Sequence, residues 1–173
     1  MALEIGTVID GKYEIVGVLG QGGMGTVYEG RHQKIHRQVA IKVLKASVAG
    51  DEDIVRRFAR EAQAAAQIGS SHIVEVYDVG ELPSGEHYQI LEYLDGESLS
   101  QRLKRVRTMA PAEVLPLVIQ LLVGLSAAHQ AGIVHRDLKP GNIYLARTKD
   151  GGGEMVKILD FGISKFHYVD GDD

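Results

Sequence analysis

The chain contains no cysteine. That excludes a disulfide scaffold, a thiolate metal site and a cysteine nucleophile, and it is compatible with a reducing compartment. There is no excess of basic charge either: 19 Lys and Arg stand against 23 Asp and Glu, a formal net charge of −4. Binding to a phosphate backbone normally needs clustered Lys and Arg in clear excess, so nucleic acid is not an expected partner. Long apolar runs are also missing. The most apolar one, Val114 to Leu125, is interrupted by Pro116, Gln120 and Gly124, and it falls short of the ~20 residues that a membrane-crossing helix needs. At the N-terminus no basic stretch leads into an apolar run, so no secretory signal is visible. The expectation is a soluble, cytoplasmic chain without a membrane segment.

What is present supports a packed protein. The 173 residues are 45% hydrophobic and 24% charged, an ordinary globular composition that allows one or two domains and is too apolar for a disordered tail. Glycine is abundant at 21 residues, and it gathers in loops where Cβ-free backbone can approach phosphate.

Patterning divides the chain. From Tyr13 to Leu44, apolar alternation on both sides of a glycine-rich stretch predicts an antiparallel meander. Helical periodicity follows over 51–68, with Ile54, Phe58, Ala62, Ala65 and Ile68 on one face, acids in the first turn and Gly69 as the stop. Ile73–Val79 and His87–Leu94 read as strands around a Pro83-Ser84-Gly85 turn, and Asp95-Gly96 marks a break. A second helix is expected over 111–131, with Val114, Val118, Leu121, Leu125 and Ala128 on one stripe, Leu115 and Leu122 beside it, and a kink at Pro116. Two short strands, 143–145 and 155–159, flank a polar turn at 147–154.

Three places carry chemistry. Gly20-Gln21-Gly22-Gly23-Met24-Gly25-Thr26-Val27 holds the pattern G-x-G-x-x-G-x-V. In so glycine-rich a chain the triplet alone is weak, and a plain hairpin turn would explain it. The flanking strands favour backbone N–H groups aimed at phosphate, and they exclude a strand opening into a helix. Just upstream, residues 6–13 nearly match a Walker A loop, but Tyr13 stands where Ser or Thr is required and no helix is expected after it. In Val39–Leu44, Lys42 shares a strand face with Ala40 and Leu44. A lysine there is either a solvated edge residue or a buried cation in need of a partner. Glu61, on the apolar stripe of helix 51–68, is the candidate partner, while Glu52 is better explained by the helix dipole. The third place is His135-Arg136-Asp137-Leu138-Lys139-Pro140-Gly141-Asn142, a charged loop after the most apolar helix, with Asp160-Phe161-Gly162 further on at the end of an apolar strand. His129 and His135 have no metal-site spacing and no third ligand. The basic run Arg102, Lys104, Arg105, Arg107 reads as a solvated helix face and end.

Taken together these motifs resemble the protein kinase family, and the wording GQGGMGTVYEG and HRDLKPGN is similar to bacterial Hanks-type serine/threonine kinases. The resemblance covers nearly the whole chain. It implies an α+β, protein-kinase-like fold: a small lobe (residues 1–94) with an antiparallel five-stranded sheet and one main helix, then a partial, mainly helical large lobe (95–173). The implied activity is phosphoryl transfer from ATP, with Mg²⁺ or Mn²⁺, to Ser or Thr hydroxyls of protein substrates. Gly20, Gly22 and Gly25 would form the loop over the phosphates, and Lys42 paired with Glu61 would orient them. Asp137 would accept the substrate proton and Lys139 would offset charge on the transferred group, while Asn142 and Asp160 would hold metal. Leu91 would be the gatekeeper and Glu92 to Leu94 the hinge, with Leu19, Val27, Ala40 and Tyr144 around the adenine. The chain runs only to Asp173, so the A-P-E motif and the later helices are absent from it, and the isolated chain is expected to be a poor or inactive kinase prone to self-association. The alternative is a non-catalytic nucleotide-binding or interaction fragment.

Overall fold

Apolar alternation decides the first sheet. In the computed structural model, which describes residues 3–23, 25–148 and 150–161, strands β1 (Val8–Ile9), β2 (Tyr13–Gln21), β3 (Gly25–His32), β4 (Gln38–Leu44), β5 (Val76–Glu81) and β6 (His87–Glu92) pair antiparallel in the order β1-β2-β3-β4-β6-β5. One strand more than the expected five is present, because Val8 and Ile9 pair with Glu14 and Tyr13 at the edge. Two residues are too few to show a period. The near-match to a Walker A loop is thus a strand, a turn and a strand. One face of the sheet closes a core of Ile15, Tyr28, Val39, Ile41, Val43 and Ile90. On β4 the alternate residues Ala40, Lys42 and Leu44 take the other face.

Two helices follow β4. The short α1 (Ala46–Ala49) has no sequence signal. The next, α2 (Glu52–Ile68), is capped at its start by the Asp51 carboxylate, which accepts from the N–H groups of Asp53 and Ile54, and at its end by Gly69 in the left-handed conformation (φ 61°). Its buried residues are Phe58, Ala62, Ala64 and Ala65.

The second sheet holds β7 (Gly96–Ser98), β8 (Ile143–Arg147) and β9 (Glu154–Ile158), in that order. Residues 73–75, expected in a strand of the first sheet, instead stitch the two sheets together. Ile73 bridges Ile158 in parallel, Val74 N–H donates to the Ile158 carbonyl, and Ile158 N–H donates to that of His72. Helix α3 (Leu99–Val106) starts in a Ser98/Gln101 capping box, and its Arg102 pairs with Glu97 and Glu154.

The long helix α4 (Pro111–Gln130) runs through Pro116. At 20 residues it is longer than the run read from the sequence, and by length and composition it is apolar enough to cross a membrane. Part of it packs on the second sheet. Leu117 and Leu121 meet Leu145 and Val156, while Leu121, Leu125 and Ala128 meet Ile73, Ile158 and Phe161. The inward stripe keeps Leu121, Leu125 and Ala128 of the expected one but takes Leu117 in place of Val118, which faces outward with Leu115, Ile119, Leu122 and Val123, all 39–61% exposed. Two residues that looked like interruptions explain this facing. A Cβ on Gly124 would meet the Ile158 side chain and His72, so only glycine lets the helix lie this close. Gln120 bonds the Glu154 carbonyl and the Val156 N–H, satisfying the free edge of β9.

Candidate active site

The cleft between the sheets has a volume of about 440 Å³. Pleating brings Leu19, Gly20 and Val27 from β2 and β3 to its roof, with Ala40 and Lys42 from β4 beside them, while Glu92 and Leu94 form its back and Tyr144 lies on β8. Leu91 and Asp160 line it as well. Gly22 and Gly25 are outside the lining. They form the hairpin tip, where Gly22 N–H donates to the Gly25 carbonyl over 2.9 Å. A Cβ on Gly25 would run into the Val43 carbonyl, so glycine lets β3 leave the turn tight against β4.

At the inner end of the cleft Lys42 has the partner that its strand position requires, and a second one besides. Its ammonium lies 2.7 Å from Asp160 Oδ1 and 3.5 Å from Glu61 Oε2. Burial pulls the lysine pKa down, but the two carboxylates outweigh it and hold the ammonium above its ordinary value. Burial acts oppositely on Glu61 and lifts its carboxyl above the usual range against the pull of Lys42. Phe58 packs close by, its ring centre 5.7 Å from the Lys42 nitrogen.

The loop 135–142 forms a second cluster. His135 is buried: its Nε2 donates to the Leu159 carbonyl at 2.9 Å, its Nδ1 accepts from Asp137 N–H, and its ring packs on Phe161. Asp137 is held by Lys139 at 2.6 Å and by the Asn142 amide at 3.1 Å. The Lys139 hydrogen bond holds its carboxyl below the ordinary value. A single 3₁₀ turn, Pro140–Asn142, orients Asn142. The Asn142 carbonyl accepts from Leu159 N–H at 2.9 Å, setting Asn142 next to the segment that ends in Asp160. The two clusters are thus joined through residues 159 and 160, although Asp137, Lys139 and Asn142 lie outside the cleft lining. Gly162 and the segment after it lie outside the described residues, as does Met24.

The residues proposed for metal fit a cation that arrives with phosphate. Asn142 spends its amide nitrogen on Asp137 and keeps its oxygen for coordination, and Asp160 adds a carboxylate. A pair of hard oxygen donors is what Mg²⁺ accepts from protein when phosphate and water complete its shell. Among the described residues no group of three His, Cys, Asp or Glu offers a cage of its own.

Tyr93, inside the expected hinge, lines the cleft, and so do residues given no site role from the sequence: Val74, Asp95, Gly96, Gln101 and Leu159. Asp95 and Gly96 adjoin the hinge. Val74 and Gln101 come from the segment joining the sheets and from α3, and no local pattern marks them. Tyr144 adds a contact of its own. Its hydroxyl donates to the carbonyls of Gly96 at 2.9 Å and Leu94 at 3.3 Å.

Comparison with known proteins agrees with this architecture. The protein kinase domain family matches residues 13–171. A probable serine/threonine-protein kinase of Streptomyces coelicolor is 42% identical over 164 residues, covering 91% of this chain and 23% of that protein. The serine/threonine-protein kinase PrkC of Bacillus subtilis is 39% identical over 160 residues, covering 92% and 24%. Among solved structures, the Mycobacterium tuberculosis PknI kinase domain superposes with a TM-score of 0.78 at 36% identity, covering 95% of this chain and 64% of that one. The chain belongs to the protein kinase family. Within that family it is similar to bacterial serine/threonine kinases, and it spans between 19% and 29% of the length of such curated relatives.

Proposed function

We propose that this chain provides the nucleotide-binding and catalytic-loop part of an ATP-dependent serine/threonine protein kinase, acting with Mg²⁺ or Mn²⁺ in the cytoplasm. The observation that carries the reading is Lys42, held between Glu61 and Asp160 at the inner end of the cleft. A lysine engaged by two carboxylates there is a cation fixed in place for phosphate. A divalent metal held by Asn142 and Asp160 would neutralise negative charge on the phosphates.

The chain's own residues would do the rest. Glu61 keeps Lys42 aimed, and Asn142 and Asp160 offer the oxygen ligands. Gly20, Gly22 and Gly25 would form the loop over the phosphates. Asp137, its carboxyl held below the ordinary value by Lys139, accepts the substrate hydroxyl proton, and Lys139 offsets charge on the moving phosphoryl group. Leu19, Val27, Ala40 and Tyr144 enclose the base, with Leu91 behind it and Glu92 to Leu94 along its polar edge. The test is transfer of labelled phosphate from ATP to a Ser/Thr-containing protein. Asp137→Asn should abolish transfer and leave nucleotide binding in place. Transfer by this variant at the wild-type rate would refute the role of Asp137.

A second reading is a chain that binds nucleotide without transferring it, and the exposed outer face of α4 favours it for the isolated polypeptide. That face would also drive self-association.

A further inference from the structure

We propose that the Tyr144 hydroxyl is a hinge tether that sets which nucleobase the cleft accepts. This rests on the nucleotide-site reading above. In that reading the ring supplies an apolar wall, a task that Leu or Phe would do as well, so the hydroxyl calls for a separate explanation.

Tyr144 sits on β8 opposite Ser98 of β7. Its phenol reaches diagonally over the ladder to the carbonyls of Gly96 and Leu94. A phenol has one proton to donate. Gly96 at 2.9 Å takes the larger share and Leu94 at 3.3 Å the smaller, so two carbonyl dipoles converge on a single hydrogen. Without that hydrogen the two oxygens face one another unscreened, and the 94–96 turn has reason to open. The outer side of the turn is held separately, where Arg147 N–H donates to the Asp95 carbonyl at 2.7 Å and the Arg147 guanidinium meets the Asp95 carboxylate at 3.3 Å. Tyr144 is the inner tie, on the cleft side.

Register matters here because bases differ in polarity along the edge that a backbone reads. Adenine presents an amino donor where guanine presents a carbonyl acceptor. Backbone C=O and N–H groups held in one position match one order and leave the other unpaired, and discrimination comes from the unpaired groups. A hinge free to slide by part of a residue can meet either base. The tether therefore favours adenine by refusing guanine its adjustment.

The experiment uses the whole 173-residue chain with Mg²⁺ and a fluorescent ATP analogue, displaced by ATP or by GTP, in wild type, Tyr144→Phe and Tyr144→Leu. Thermal melts accompany each titration. Wild type should prefer ATP. Tyr144→Phe keeps the ring and removes the tether, so it should lose about fivefold in ATP affinity, the worth of one hydrogen bond, while GTP affinity changes less than twofold. Tyr144→Leu should show the same narrowing of the ATP-to-GTP ratio on top of a general loss for both nucleotides. Three results overturn the proposal: an unchanged ratio in the Phe variant, an equal loss for both nucleotides, or a Phe variant that no longer folds. Each of them leaves the hydroxyl with a structural role at most. Wild type that fails to bind ATP would instead remove the nucleotide-site reading itself.

Discussion

Replacing Lys42 by Met separates the electrostatic task of the ammonium from its bulk. In the wild type the lysine and Glu61 side chains are each only 16% exposed, and Asp160, at 48%, lies nearer water. Taking the cation away leaves Glu61 largely buried and without its charge partner, a penalty of about 1–3 kcal/mol for a group in that position. Glu61 can escape part of this by taking up a proton, since burial already raises its pKa. The loss of stability should therefore be modest near neutral pH and smaller still in mild acid. Phosphoryl transfer has no such escape. One positioned donor on developing charge is worth about 2.7–4 kcal/mol of barrier, or roughly 10²–10³ in rate. Lys42→Arg should not restore it, because a planar fork cannot take the place of a compact ammonium fitted between two carboxylates beside Phe58. The assay is transfer of labelled phosphate from ATP to a protein substrate, with thermal melts of each variant alongside. A rate above about a tenth of wild type in either variant, roughly 1.4 kcal/mol of barrier, would refute the reasoning.

Other outcomes follow from the same geometry. Asp160→Asn should remove the dependence of ATP-analogue binding on Mg²⁺, and equal affinities with and without metal in both proteins would show that Asp160 is no metal ligand. The raised pKa of Glu61 fixes the sign of a pH effect. Between its ordinary value of 4.5 and the higher folded value the folded state holds more protons than the unfolded one, so stability falls as pH rises through that window. Nucleotide binding should move the opposite way, weakening as pH falls through the folded value and Lys42 loses its charged partner. Glu61→Gln should flatten both curves, and curves that match wild type would assign the titration elsewhere. For α4, the outward residues Leu115, Ile119, Leu122 and Val123 are 52–61% exposed, and each forfeits up to about 1.5–3 kcal/mol of possible burial. Hydrogen exchange in the isolated chain should therefore be faster over 114–125 than over 39–44. Equal protection together with measurable turnover would show that the chain is self-sufficient.

Much of the site could be read locally because its chemistry is carried by short stretches. The alternation in Val39–Leu44 alone places Lys42 among apolar neighbours, and the period of 51–68 alone puts Glu61 on the inner face, so their pairing follows from two local patterns. The 135–142 loop is likewise self-contained, since Lys139 and Asn142 reach Asp137 within five residues. What the local patterns leave open depends on close approach between distant segments. The second partner of Lys42 is Asp160, 118 residues away, and no periodicity links the two. Gln120 and Gly124 look like breaks in an apolar run until β9 lies against them, when one satisfies an edge and the other makes room. The facing of α4 is decided in the same way. Periodicity picks out Leu121, Leu125 and Ala128, but in a sequence apolar nearly all round it does not choose between Leu117 and Val118, and packing on the second sheet close to Gly124 does. The Tyr144 tether has the same origin: an aromatic residue after Asn142 is visible in the sequence, but the two carbonyls its hydroxyl meets lie about fifty residues earlier and converge only once β7 and β8 pair.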